Sequence, residues 1–131
     1  PDYVIHKISK TLNLAQKSVK NSKILVLGLA YKKNVDDVRE SPSMEIINKL
    51  SALKANIFFN DPFFDKFPQT RKLNLDIPYL EISKKILNDM DLVLLSTDHD
   101  QFDYQLILKE AKMIIDTRGR YSFFDEKIVK A

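Results

Sequence analysis

The stretch "KILVLG", residues 23–28, is apolar at successive positions rather than at alternate ones. A strand with that pattern has both faces buried, which is the condition of a strand inside a parallel sheet. It also predicts what surrounds it. Parallel neighbours cannot be joined by a hairpin, so the chain must cross over between strands, and helices are the usual crossing elements. Three more such runs come later in the chain: "ANIFFNDP", stopped by Asn60, Asp61 and Pro62; "DLVLLST" at 91–97; and "KMIIDT" at 112–117.

Between them stand segments with helical signals. Ser41 before Pro42 offers a hydroxyl cap and then a residue that needs no amide donor, and Ile46, Ile47, Leu50 and Leu53 supply a buried face. "YLEISKKILND" reads as a second crossing helix, and Asp103 is placed to cap "YQLILKEA". Ahead of the first strand, Val4, Ile5, Ile8 and Leu12 recur at three- and four-residue spacing, so residues 2 to about 13 read as an amphipathic helix. "KSVKNS" after it is a polar connector. The stretch from Phe63 to Pro78 reads as irregular, its aromatics covering a sheet edge. The fold expected is α/β, an open Rossmann-like parallel sheet with helices on both faces.

Composition narrows the function. With 131 residues, 44% of them hydrophobic, the chain has material for one ordinary core. It has no cysteine, which removes disulfides, thiolate metal sites and a cysteine nucleophile from this stretch and suits a reducing compartment. No apolar run reaches the roughly 20 residues of a membrane helix. A chain that begins at Pro1 rather than methionine is expected to belong to something longer. Residues 1–33 hold seven lysines against one acid, Asp2, while the remainder is net acidic. That asymmetry marks either an anion-facing end or a lysine-studded solvated helix. Nucleic acid is a poor reading, since the aromatics are not interleaved with the basic residues.

In open α/β sheets the ligand sits outside the carboxyl ends of the strands. Here those ends are residues 28–33, 60–62, 96–100 and 117–120, and the first opens into "GLAYKKNVDDVRESPS" (28–43). The stretch is not a dinucleotide fingerprint, because Ala30 and Lys33 stand where the second and third glycines belong, and no P-loop follows. Asp36, Asp37 and Arg39 read as a local ion-pair network that fixes a long loop, in preference to a phospho-acceptor pair. Asp98-His99-Asp100 reads as a turn or as a metal or acid–base cluster. Lys32 and Arg118 both follow strand ends and could share one anion; either could instead pair with a nearby acid such as Asp116.

The motifs "GLAYKKNVDDVRESPS", "NDP", "LLSTDHDQFD" and "DTRGRY" resemble, in order, the C-terminal domain of the UDP-glucose/GDP-mannose dehydrogenase family. "PDYVIHKISKTLN" resembles the tail of the long central helix before it. The resemblance implies two regions: residues 1–21 as the end of the central dimerisation helix with its connector, and 22–131 as the UDP-binding domain. It implies a cytoplasmic, homodimeric, NAD-dependent enzyme that oxidises the C6 alcohol of a UDP-sugar to a uronic acid for polysaccharide biosynthesis. The lysine pair points toward the UDP-N-acetylhexosamine branch. Residue by residue, it implies substrate contacts for Tyr31, Lys32 and Arg118, and a reach toward NAD for Arg39. Gly119 departs from the family's usual residue. NAD would be bound mainly by an N-terminal domain, with a central helical domain between. Since this stretch has neither the glycine loop nor the catalytic cysteine, it is expected to be inactive alone. The rival expectation is a standalone α/β module that senses a nucleotide without catalysis.

Overall fold

In the computed structural model, residues 1–70 and 74–131 are described, and five strands run parallel in one sheet of order β2-β1-β3-β4-β5. The elements are α1 (Asp2–Leu14), β1 (Lys23–Leu27), α2 (Pro42–Ala52), β2 (Asn56–Asn60), α3 (Lys84–Asp89), β3 (Leu92–Leu95), α4 (Tyr104–Glu110), β4 (Ile114–Asp116) and β5 (Ile128–Lys130). The doubly wound architecture expected from the alternating runs is the one observed.

Strand alternation sorts the core. Ile24 and Val26 face one side with Leu92, Leu94 and Ile115, where Ile8 and Leu12 of α1 and Ile46, Ile47 and Leu50 of α2 cover them. Leu25 and Leu27 face the other side with Val93, Leu95 and Ile114, under α3 and α4. Helices therefore lie on both faces because each β1 side chain has an apolar requirement of its own. The Ser41 hydroxyl accepts from the Ser43 amide with Pro42 behind it, and the Asp103 carboxylate accepts from the Leu106 amide, so both expected caps form. Asp2 pairs with Lys49 at 3.0 Å and ties α1 to α2. In the basic first segment, Lys17 pairs with Asp91 and Lys23 with Asp89, each at 3.1 Å.

Two elements depart from the pattern reading. The helix expected from Tyr79 begins only at Lys84, because the preceding residues extend along the free edge of β2. Phe59 donates its amide to the Pro78 carbonyl and accepts from the Leu80 amide, and edge pairing outweighs local helical periodicity there. Phe67 and Tyr79 stack edge-on against the fully buried Phe59, with ring centroids at 5.7 and 5.5 Å. The aromatics of the 63–78 stretch thus cover the sheet edge as expected, although residues 71–73 within it lie outside the described residues. The second departure is β5, three residues long and on the opposite edge, which the sequence reading did not foresee.

The register brings the strand ends level. Leu27 lies between Asn60 and Leu95, and Leu95 lies beside Asp116, so four strands end side by side. The order reverses between β1 and β3, which makes the loops after those two strands the walls of the expected ligand crevice.

Candidate functional site

At the top of β1 the chain turns at Gly28 with φ +89. A Cβ there would stand 2.5 Å from both the Cβ and the carbonyl oxygen of Thr97, the residue leaving β3. Only glycine lets the two strand exits come this close, so Gly28 serves protein packing and offers no open cradle for a pyrophosphate. The Ser96 and Thr97 amides both donate to the Leu27 carbonyl, which holds the crossing in place.

Beyond Gly28 the loop's backbone is held at several points. Leu29 donates its amide to Asp61 and accepts at its carbonyl from the Ser41 hydroxyl. The Ala30 carbonyl accepts from the Thr97 hydroxyl at 2.7 Å. Tyr31 donates its amide to the Asp37 carbonyl at 2.8 Å and accepts from Nη2 of Arg118 at 3.0 Å. The Asn34 amide donates to Nδ1 of His99 at 2.8 Å, with Asn34 in the left-handed region at φ +63. The Ser43 and Ser96 hydroxyls hydrogen bond to each other beneath the loop. The main chain is thus held at Leu29, Ala30, Tyr31 and Asn34, while the charged tips stay outside.

Three of the four residues singled out from sequence, Tyr31, Arg39 and Arg118, form one connected group through Asp37, and Lys32 stands beside it. Arg39 grips Asp37 in a two-point pair, Nε to Oδ1 at 3.0 Å and Nη2 to Oδ2 at 2.9 Å. The Asp37 carbonyl holds the Tyr31 amide, and the Tyr31 carbonyl holds Arg118. The Tyr31 side chain is 54% exposed, and Lys32 is exposed without a hydrogen bond or ion pair among the described residues. The expected ion-pair network forms between Asp37 and Arg39; Asp36 takes no part in it. Arg39's hydrogen bonds hold the Asp37 carboxyl at about 2, well below its ordinary value, and the Arg39 guanidinium is raised in turn.

Arg118 does not pair with Asp116 through its side chain. Its Nε donates to the Ser96 carbonyl at 2.8 Å and its Nη2 to the Tyr31 carbonyl, so it bridges the β1 and β3 loops using neutral acceptors. The buried Asp116 carboxylate is occupied by backbone amides, those of Arg118, Gly119 and Tyr121. This division of labour leaves the Arg118 charge without a carboxylate partner at the strand ends. Arg120 is the contrast: it pairs with Asp100 at 2.8 Å, lies near Asp98, and stacks over the Tyr104 ring at 4.4 Å. Arg120 and Asn34 together lower the Asp100 carboxyl. Among the described residues at the crevice, Arg39 and Arg120 are therefore spent on acids, and Lys32, Lys33 and Arg118 have no ion-pair partner.

His99 is excluded as a solvent-facing base, because it is fully buried with both ring nitrogens engaged. No group of three or more acidic, histidine or cysteine side chains among the described residues is arranged to hold a metal. Sequence reasoning missed the part played by Asp61, which it treated only as a strand stop, and the tethers from Asn34, Ser43 and Thr97. Their tethers to the loop reach across 32 to 67 positions, which no local pattern marks.

The family model for the UDP-glucose/GDP-mannose dehydrogenase family, UDP binding domain, matches residues 25–123. The chain belongs to that family. The UDP-glucose 6-dehydrogenase of Rickettsia bellii is 33% identical over 117 residues, which are 86% of this chain and 27% of the relative. The UDP-N-acetyl-D-mannosamine dehydrogenase of Campylobacter jejuni is 32% identical over 103 residues, 78% of this chain and 24% of the relative. Among solved structures, the UDP-N-acetyl-mannosamine dehydrogenase from Staphylococcus aureus superposes with TM-score 0.67 at 27% identity, over 99% of this chain and 30% of that one. The chain spans about a quarter of the length of these curated relatives. The family match takes in the last three residues of β1, all of β2 to β4 and every loop of the crevice.

Proposed function

We propose that this chain is the UDP-binding part of an NAD-dependent UDP-sugar 6-dehydrogenase, acting on UDP-glucose or a UDP-N-acetylhexosamine. The observation that carries the reading is the unspent charge of Lys32 and Arg118 at the β1/β3 switch point. A diphosphate is the ligand such a pair suits, because the Arg118 fork still has Nη1 to offer and the Lys32 ammonium is unpaired among the described residues. The exposed Tyr31 ring beside them supplies an apolar face for the rest of the nucleotide.

NAD does not fit this chain by itself. Its two glycines are Gly28, closed against Thr97, and Gly119, so the backbone offers no pyrophosphate loop. The cofactor belongs to an N-terminal domain of the complete protein, and a central helical domain mediates a homodimer. Arg39, its side chain 87% exposed and aimed by Asp37, is the group of this chain that reaches toward NAD. The protein works in the cytoplasm.

The test is the complete open reading frame, purified and supplied with NAD and a panel of UDP- and GDP-sugars. NAD reduction with a UDP-sugar, and none by the 1–131 chain alone, is the expected result. A complete protein that neither reduces NAD with any nucleotide sugar nor binds UDP would sink the proposal in favour of a non-catalytic nucleotide sensor.

A further inference from the structure

A relay of hydrogen bonds closes around the Tyr31–Lys33 arc from below. The Leu29 amide donates to Asp61 Oδ2 at 2.8 Å, and the same oxygen faces His99 Nε2 at 3.0 Å. The Asn34 amide donates to His99 Nδ1 at 2.8 Å. A backbone amide can only donate, so Nδ1 carries no proton and the ring's one proton sits on Nε2, directed at the carboxylate. Both side chains are fully buried. The other carboxylate oxygen accepts from the Phe63 amide, and the Phe63 and Phe102 rings flank the imidazole at 5.0 and 5.7 Å. The Tyr104 hydroxyl holds the His99 carbonyl at 2.6 Å.

The two ends of this relay, Leu29 and Asn34, bracket Ala30 to Lys33. Asn34 is secured a second time by its side chain, which accepts from the Asp100 amide and donates to the Asp100 carboxylate. We propose that Asp61 and His99 form a buried latch that sets the position of the Tyr31–Lys33 arc, and that His99 is thereby a positioning residue for UDP-sugar binding. The second half of this inference rests on the proposed UDP-sugar dehydrogenase function; the latch itself does not. The chemistry is specific: a carboxylate fixes which nitrogen of the ring is bare, and the bare nitrogen fixes the far end of the loop. Burial makes the arrangement demanding, because the Asp61 and His99 side chains are shut off from water and depend on each other for this contact.

Two substitutions separate the two hydrogen bonds in the full-length protein. In His99→Gln the amide nitrogen reaches the Nε2 position and keeps the Asp61 contact, but the Asn34 acceptor is lost. In His99→Asn the side-chain oxygen stands near the Nδ1 position and keeps the Asn34 contact, but the donor to Asp61 is lost. Hydrogen exchange over residues 28–40 without ligand should accelerate about tenfold more in His99→Gln than in His99→Asn, the effect of one lost hydrogen bond. The KM for the UDP-sugar should show the same ranking while the KM for NAD stays put. Equal exchange in the two variants, or the two KM values rising together with loss of thermal stability, overturns the latch as a positioning device. The imidazole 15N spectrum of the wild-type protein needs no variant to fold, and a proton found on Nδ1 at neutral pH overturns it as well. Should the wild-type protein bind no UDP, the proposed function and His99's role in it both fall, and the exchange contrast still decides the latch.

Discussion

Replacing Gly28 with alanine tests whether the β1 and β3 exits are as close as the structure places them. The new Cβ would meet the Thr97 Cβ and carbonyl oxygen at 2.5 Å and its Cα at 2.8 Å. None of these is a flexible side-chain end. Thr97 is held by its amide to the Leu27 carbonyl and by its hydroxyl to the Ala30 carbonyl, so it cannot step aside cheaply. The φ of +89 adds strain of about 1–2 kcal/mol for an L side chain. Overpacking adds about 1–3 kcal/mol, and the stiffer unfolded chain returns about 0.4–1 kcal/mol. The net loss is about 1–4.6 kcal/mol, centred near 3, a large share of the roughly 5–15 kcal/mol that ordinarily separates folded from unfolded. Gly119→Ala is the internal control: φ is +68 there too, but nothing lies within 4 Å of the added carbon. It should cost about 1 kcal/mol or less, strain being partly offset by the unfolded-state effect. Urea titration of both variants, monitored by far-ultraviolet circular dichroism, should move the midpoint by on the order of 1–2 M for Gly28→Ala and far less for Gly119→Ala. Equal shifts in the two would refute the steric argument, leaving backbone conformation as the whole effect.

The Asp37 carboxyl, held at about 2 by Arg39 instead of its ordinary 3.8, contributes to stability above about pH 4 and loses that contribution as pH falls toward 2; carboxyl NMR should track it. In Arg39→Ala its midpoint should return toward 3.8, and a midpoint that does not move would dissolve the pair. Under the proposed function, the same substitution in the full-length protein should raise the KM for NAD roughly ten- to a hundredfold, the effect of one charged hydrogen bond, with little change for the UDP-sugar. Steady-state kinetics that show the reverse would make Arg39 a purely local partner of Asp37. Lys32→Ala and Arg118→Ala should each weaken UDP binding in that protein, more so at low salt, and the double variant should lose less than the sum of the two. Strict additivity in calorimetric titrations would separate the two residues.

What was legible in the sequence is what depends on neighbours two to four positions apart. Apolar runs at 23–28, 56–60 and 91–97 read as buried strands, Ser41-Pro42 and Asp103 read as helix starts, and the Asp37–Arg39 pair closes over two residues. The charged stretch after Gly28 also carried the proposal for the ligand's place, because open α/β sheets bind outside the carboxyl ends of their strands. The tertiary structure alone decided the rest. Strand order set the reversal between β1 and β3, and only that order brings Arg118 across 87 positions to the Tyr31 carbonyl. Tyr79 and Leu80 have a helical neighbourhood in sequence, yet the open edge of β2 claims their backbone. β5 is three residues long, too short for any periodicity to show, and exists because β4 offers an edge to pair with. Asp61 and His99 looked like a strand stop and a turn because their meaning lies in each other, 38 positions apart. Local pattern fixes what each segment can become, and a hydrogen bond between distant segments is available only after the whole sheet has brought their ends together.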